Sequence, residues 1–169
     1  MILAGDDDPV EHRLAALECR VRDLEDRQAI YQLVASYGLA ADGMSREGLE
    51  RLWAPDGRYD TEHHIFEGAQ AVGAIVEDPM HLGFVEPGCA HVMSLPHVTV
   101  TGNSAVATNY SRVYLRSGEE WRVVRVAANR WELTRDEAGL WRVDRRINRL
   151  LDGTAESRAL LAQGLCIAQ

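Results

Sequence analysis

The residue most suited to acid–base chemistry in this sequence is Asp42, which ends an otherwise apolar helical stripe. The stripe comprises Ile30, Leu33, Val34, Tyr37 and Ala41. A carboxylate at a helix C-terminus opposes the helix dipole, at a cost of about 0.3–1 kcal/mol. Aspartate is also common in turns after helices, so an exposed turn residue is the simple alternative. Our hypothesis is that Asp42 points into a hydrophobic pocket and pairs with a histidine from a distant strand.

His91 is the candidate for that histidine. It opens an alternating segment, in which Met93 and Leu95 would lie on the same face of a strand as His91. Near pH 7 a histidine is close to the ideal proton acceptor, and a positioned general base typically contributes about 10²–10⁴-fold. From the residues alone, however, a histidine in a strand is more often structural than catalytic.

Aromatic residues on the predicted helices and strands are candidates for the pocket lining. Tyr37 and Tyr59 suit either the core or the lining of a ligand site. Trp53 is first a core or interface anchor and second a substrate contact. Tyr110 shares one strand face with Tyr114, and the sequence leaves open whether that face meets the pocket or solvent.

Two further groups of residues are candidates for substrate contacts. The segment 78–90, DPMHLGFVEPGCA, has two prolines and two glycines, which indicates a loop long enough to be a lid. His81 and Phe84 would contact a substrate from it. The strand positions that border the predicted cavity, or alternatively form a solvated face or subunit contact, are Asn129, Arg145, Arg146 and Asn148.

The pattern of histidines and cysteines does not favour a metal site. Adjacent residues of a strand point to opposite faces, so His63 and His64 do not converge on one ion. No HxH or HExxH spacing occurs, and no GxGxxG follows a strand. The three cysteines are far apart and lack CxxC spacing, at Cys19, Cys89 and Cys166. We therefore predict free thiols, no metal and no cofactor.

The composition of the 169 residues limits the class of partner. The formal charge of −8 argues against nucleic acid, whose phosphates require clustered lysine and arginine. No apolar run approaches the ~20 residues of a membrane span. Acidic residues stand near the N-terminus where a signal peptide would carry basic ones, so we expect a cytoplasmic protein.

Helical periodicity dominates the first half of the chain. We expect a flexible N-terminus over 1–9 and a single domain over 10–169. The predicted helices are 10–24, a second helix capped by Asp26 and ending before Gly43, a short helix capped by Ser45, and 68–76. The first is polar over most of its surface, which indicates packing on the domain or on a second subunit along a narrow seam.

Strand periodicity dominates the second half. Strands are predicted at 58–66, 91–101, 105–115, 121–133 and 140–150, with hairpin signals between the last four and a terminal helix at 155–165. Helices followed by an antiparallel meander predict an α+β fold in which helices cover one face of a strongly curved sheet. Such a sheet leaves a conical pocket for a hydrophobic small molecule.

These residues resemble the SnoaL-like branch of the nuclear transport factor 2-like superfamily over roughly 17–150. The motifs are AIxxLxxxYxxxxD ending on Asp42, the LWAPDGRYD segment, His91 at a strand start, and the GLWRVDRR strand. Within this branch the chain is most similar to the group of hexachlorocyclohexane dehydrochlorinase, bile-acid 7α-dehydratase and scytalone dehydratase. The resemblance implies a cone-shaped α+β barrel and a homo-oligomer, dimer or trimer, joined through the outer face of the sheet.

The resemblance also implies an activity. In those lyases an Asp–His pair removes a proton next to the leaving group, and the pair matches Asp42 and His91. Tyr37 and Tyr59 match tyrosines that assist a departing hydroxyl. The expectation is a cofactor-independent lyase or isomerase acting on a hydrophobic, ring-containing molecule. The alternatives are a non-catalytic ligand-binding or accessory domain, as in the small subunit of aromatic-ring dioxygenases, and a polyketide cyclase.

Overall fold

A computed structural model describes residues 9–165. Of the predicted flexible segment 1–9 only Pro9 is among them, as the first residue of a helix, and Cys166 lies outside. The helices are α1 (Pro9–Asp42), α2 (Arg46–Glu50), α3 (Ala69–Gly73), which a 3₁₀ turn (Ala74–Glu77) extends, α4 (Pro79–Val85) and α5 (Ala155–Gln163). The strands are β1 (Trp53–Asp60), β2 (Ile65–Glu67), β3 (Cys89–Met93), β4 (His97–Thr101), β5 (Ser104–Ser117), β6 (Glu120–Arg135) and β7 (Trp141–Leu150). None of these helices is long and apolar enough to cross a membrane.

The strands of the described region form one sheet in the order β2-β1-β7-β6-β5-β3, with β4 pairing β5 beyond the end of β3. All pairs are antiparallel except β1 with β7. The sheet does not close into a barrel, because the edge strands β2 and β3 are not paired with each other. The predicted α+β class with an antiparallel meander is confirmed.

Helices α1 to α4 lie on one face of this sheet, whereas α5 packs against the other face, where Gly164 lies against the side chain of Thr108. The prediction that all helices cover one face is therefore wrong for α5. The core between the two layers contains the buried side chains Ile30, Val34, Leu49, Val72, Trp131, Leu133 and Val143. The C-terminal half of α1 supplies one apolar stripe, and the inward positions of β6 and β7 supply the other. This packing fixes the end of α1, and therefore Asp42, against the sheet.

One predicted helix boundary is wrong. Asp26 does not cap a second helix, because α1 continues through it without glycine or proline to interrupt the backbone bonds. Its carboxylate instead pairs with Arg135 and accepts a hydrogen bond from Trp141 Nε1 at 3.3 Å. Asp26 therefore joins α1 to the sheet.

The prediction of a lid loop over residues 78–90 is also wrong for most of that segment. Residues 79–85 form α4, and the Asp78 carboxylate caps it by accepting from the Met80 backbone N–H at 2.8 Å. Pro79 occupies the first helical turn, where its missing N–H costs nothing. Asp-Pro is a start signal for a helix here, and α4 presents a fixed wall rather than a flexible loop.

The WAPDG segment is another difference. The sequence predicts a strand only from residue 58, whereas residues 53–60 form β1. The register of β1 on β7 shifts between Trp53 and Arg58, so the proline and glycine lie in an irregularity of the strand. The cap of α2 is as predicted, since Ser45 Oγ accepts from the Gly48 N–H at 3.1 Å.

Candidate active site

Asp42 and His91 meet where the end of α1 lies against β3. Asp42 Oδ1 lies 2.6 Å from His91 Nδ1, and Oδ2 accepts from the His91 backbone N–H at 2.7 Å. A carboxylate only accepts hydrogen bonds, so Nδ1 carries the hydrogen and Nε2 keeps its lone pair in the neutral ring. Both side chains are largely buried.

Gly38, one turn before Asp42, allows this approach. A Cβ at Gly38 would stand 2.1 Å from the carbonyl oxygen of His91, far inside van der Waals contact. Only glycine therefore lets α1 lie this close to β3. The sequence analysis assigned Gly38 no role, although a glycine inside a helix without a turn nearby often marks a close backbone approach.

The thiol of Cys89 completes the cluster. Cys89 Sγ donates to Asp42 Oδ1 at 3.2 Å. Burial, with this carboxylate beside it, raises the pKa of the thiol from its ordinary 9.0 to about 12. Burial also disfavours the charged form of Asp42, but the bonds from the His91 ring, its backbone N–H and Cys89 outweigh this and hold the carboxyl pKa below its ordinary 3.8. The cluster thus consists of a carboxylate and a neutral thiol.

The same three side chains offer ligand atoms within 4.8 Å of one another, which is a spacing that a metal ion can use. Their chemistry fits an ion poorly. His91 Nδ1 donates to Asp42 Oδ1 at 2.6 Å and the Cys89 thiol donates to the same oxygen, so these atoms are already engaged. The donors of the cluster therefore satisfy one another as a hydrogen-bonded group.

His81, on α4, lies beside this pair. Its Nε2 lies 3.0 Å from the carbonyl oxygen of Ala41, and the His81 and His91 rings are nearly parallel with centroids 5.6 Å apart. The acceptor is a carbonyl, so His81 Nε2 carries the hydrogen. This bond ties α4 to the end of α1 and holds His81 against His91.

A cavity of about 370 Å³ opens beside His91, within the range of small-molecule sites. Its apolar lining consists of Phe66, Ile75, Met80, Phe84, Met93 and Val113. Polar side chains also line the cavity, from the β1–β2 connection, the sheet and α4, but most of the wall surface is apolar. This arrangement suits an apolar ligand with a small number of oriented polar atoms.

Two tyrosines form part of the lining. The rings of Tyr37 and Tyr59 are edge-to-face at 6.1 Å, and Phe66 lies 5.9 Å from the Tyr59 ring. Burial raises the pKa of Tyr59, with the nearby Tyr37 adding to the effect and the Arg146 charge opposing it. The Tyr59 phenol therefore stays protonated and is able to donate a hydrogen bond.

Arg146, on β7, is the residue of this site that the sequence analysis ranked too low. It lines the cavity at 1% exposure, with its guanidinium carbon 4.0, 4.5 and 4.3 Å from the ring centroids of Tyr37, Tyr59 and Trp131. Nε and Nη2 donate to Asn129 Oδ1 at 3.0 and 2.7 Å. In the described chain no carboxylate pairs with it, and Nη1 has no hydrogen-bond partner.

The second cationic group of the cavity is neutralised. Arg125 donates to Glu62 at 2.6 Å and to Asn148 Oδ1 at 2.7 Å. Burial favours the neutral form of Glu62, but the Arg125 partner outweighs it and lowers the carboxyl pKa. The cavity therefore combines a paired arginine near its rim with a buried arginine whose charge is unbalanced.

The structure brings together most of the predicted site residues. Those that line the cavity are Tyr37, Tyr59, His81, Phe84, His91 and Asn148, with Asp42 behind His91. Three predicted substrate contacts are outside the lining. Trp53 is in the core, Asn129 is fully buried beneath Arg146, and Tyr110 is 43% exposed away from the cavity. We do not retain these three as contacts.

The sequence matches the family described as SnoaL-like domain over residues 22–147. No curated protein matches it. Among solved structures, an NTF2-like protein with a cystatin-like fold from Novosphingobium aromaticivorans is 40% identical, with a TM-score of 0.83 over 93% of this chain and 99% of its own.

The hexachlorocyclohexane dehydrochlorinase LinA-type3 from Novosphingobium barchaimii is 17% identical, with a TM-score of 0.65 over 78% of this chain and 90% of its own. This likeness concerns the fold. Taken with the family match over residues 22–147, the comparisons show that the chain belongs to the SnoaL-like domain family of the NTF2-like superfamily.

Proposed function

We propose that the protein is a cofactor-independent lyase or isomerase that removes a carbon-bound proton from a hydrophobic, ring-containing small molecule. The observation that carries the proposal is the 2.6 Å contact between Asp42 Oδ1 and His91 Nδ1 at the wall of an apolar cavity. A histidine oriented in this way by a buried carboxylate is the arrangement that general-base catalysis requires.

His91 acts as the base in this proposal. Its Nε2 lone pair takes the proton of a substrate C–H, and the pair of electrons left on carbon is delocalised onto a neighbouring carbonyl oxygen. The ring then carries a positive charge, which the Asp42 carboxylate stabilises. In a dehydration, the protonated ring or a tyrosine returns a proton to the departing hydroxyl, and water leaves. In an isomerisation, the proton returns to another carbon.

Arg146 and the tyrosines stabilise the developing oxygen charge. The unbalanced guanidinium lies under the rings of Tyr37 and Tyr59, and because Arg146 is itself buried, its field is only weakly screened by solvent. The Tyr59 phenol, kept protonated by burial, is suited to donate to an enolate or a leaving hydroxyl. These features favour a substrate with a carbonyl next to the acidic carbon.

The cavity supports a substrate of modest size. Its volume of about 370 Å³ and its apolar lining suit a ring system that carries a few oxygens. The family resemblance implies proton removal as the step that its dehydratases and dehydrochlorinases share, so the proposal rests on that step and leaves the leaving group open.

The test compares turnover with affinity on a panel of cyclic β-hydroxy ketones. We expect His91→Ala to abolish turnover while the ligand still binds, and Asp42→Asn to reduce turnover about 10²–10⁴-fold. His97→Ala is the matched control, since His97 is an exposed β4 residue outside the cavity. Saturable binding without turnover, unaffected by His91→Ala, would instead support a binding module and overturn the proposal.

A further inference from the structure

The first half of α1 extends beyond the domain. Every residue from 9 to 25 is exposed, and the buried stripe of the helix begins only at Ile30. At 1.5 Å per residue this exposed segment is about 25 Å long. A helix of this length without tertiary packing is only marginally stable in water, so the segment requires a partner.

An apolar seam follows the exposed segment. Leu14, Leu17, Val21 and Leu24 are 51–63% exposed and are separated by three, four and three residues. This spacing is that of positions a and d in a heptad repeat, with Leu14 and Val21 at a and Leu17 and Leu24 at d. A leucine pair at d with a β-branched residue at one a position favours two strands. The seam is therefore typical of a two-stranded coiled coil.

The charges beside the seam follow the same repeat. Arg13 and Arg20 occupy the g positions, and Glu18 and Glu25 occupy the e positions. In the described chain none of these four makes an ion pair, whereas Arg27, the next g residue, pairs with Asp23 and donates to the Val98 carbonyl at 2.7 Å. The four charges next to the seam are thus left for a partner helix.

We propose that residues 13–25 form a parallel, two-stranded coiled coil with the same segment of a second copy of this chain. In a parallel pair a g residue faces the e residue of the next heptad of its partner. Arg13 then faces Glu18 of the other copy, and Arg20 faces Glu25. In an antiparallel pair g faces g and e faces e, which places arginine against arginine and glutamate against glutamate. The charge pattern therefore favours a second copy of this chain as the partner and a parallel orientation of the two helices.

This interface differs from the outer face of the sheet, which the family resemblance implies as the oligomer contact. It is also independent of the proposed activity, because the seam ends at Leu24, 18 residues before Asp42 on the same helix. The residues that line the cavity lie between positions 37 and 148, outside the segment 13–25 that forms the seam.

Sedimentation equilibrium of the full chain tests the interface. We expect a dimer at micromolar concentration, and Leu17→Asp should weaken its association at least 100-fold. Ala16→Asp is the matched control, because it introduces the same charge at position c, which faces away from the partner. Circular dichroism checks that both variants fold. A monomeric wild type, a dimer that survives Leu17→Asp, or a trimer would overturn the proposal.

Exchanging the charges beside the seam tests the parallel orientation of the two helices. The double variants Arg13→Glu/Arg20→Glu and Glu18→Arg/Glu25→Arg should each self-associate more weakly than the wild type, because each places like charges opposite one another in the parallel arrangement. Mixing the two should restore the affinity as a heterodimer. If each variant alone dimerises as tightly as the wild type, the parallel arrangement is wrong.

Discussion

Asp42 holds His91 at two points, because one carboxylate oxygen binds the ring Nδ1 at 2.6 Å and the other binds the backbone N–H at 2.7 Å. The first contact sets the orientation of the imidazole, and the second sets the position of β3 relative to the end of α1. A single residue at a helix terminus therefore fixes both the orientation of the His91 imidazole and the place of the strand that carries it.

The close approach at Gly38 predicts that Gly38→Ala displaces β3. The new Cβ would meet the His91 carbonyl oxygen at 2.1 Å, and a backbone atom is not free to move aside. We expect a destabilisation of about 1–3 kcal/mol, measured by urea unfolding, together with a loss of activity.

Gly83→Ala is the control for this change. A Cβ at Gly83, inside α4, meets nothing within 4 Å, so alanine should raise stability by about 0.5–1 kcal/mol through helix propensity. If Gly38→Ala is as well tolerated as Gly83→Ala, the close approach does not hold the site together.

The raised pKa of Cys89 predicts a poorly reactive thiol. A pKa of about 12 against the ordinary 9.0 reduces the thiolate fraction about 10³-fold at neutral pH, and the thiolate is the nucleophile. Peptide mass spectrometry after brief iodoacetamide treatment should therefore find the exposed Cys19 alkylated and Cys89 intact. Asp42→Asn should accelerate the alkylation of Cys89, since it removes the neighbouring negative charge. Rapid alkylation of Cys89 in the native wild type would contradict the buried, neutral thiol.

The lowered pKa of Asp42 predicts a loss of stability in acid. The fold favours the carboxylate, so the stabilisation is complete above the ordinary pKa of 3.8 and is lost as the pH falls through the lower folded value. Urea unfolding from about pH 4 downward should show this loss, with a limiting slope of about 1.4 kcal/mol per pH unit for each proton taken up. Asp42→Asn should show a shallower loss than the wild type over this range. Equal slopes would contradict the role of the carboxylate.

The unbalanced charge of Arg146 predicts a separation of activity from stability. Replacing a buried charge by an apolar side chain of similar size is often neutral or stabilising. We therefore expect Arg146→Met to keep the melting temperature while turnover falls about 10²–10³-fold. Arg145→Met, at the adjacent and more exposed position, is the control. Turnover within about twofold of the wild type in Arg146→Met would remove Arg146 from the mechanism.

The helices and strands of this fold were largely predictable, because the sequence patterns that indicate them are local. The stripe from Ile30 to Ala41 and the hairpin glycines of the meander indicate helix and strands through periodicity and turn geometry alone. The Asp78-Pro79 start of α4 was equally local, but its prolines and glycines were interpreted as loop signals. The family resemblance supplied the pairing of Asp42 with His91.

The features that the sequence did not predict depend on distant partners. Arg145 and Arg146 are adjacent and chemically identical, yet one pairs with Asp60 and the other lies buried among three aromatic rings. Only the register of β7 against β6 and β1 decides which arginine faces inward. The role of Gly38 likewise depends on a backbone 53 positions away in the chain.

The most direct test of the central claim is exchange of ketone α-protons with solvent deuterium, followed by NMR on a two-ring ketone such as 2-decalone. The account predicts that the wild type exchanges an α-proton at least 10²-fold faster than His91→Ala, with the bound fraction of ketone matched in the two proteins. Equal exchange rates in the two proteins, or a bound ketone that does not exchange in either, would contradict the assignment of His91 as the general base.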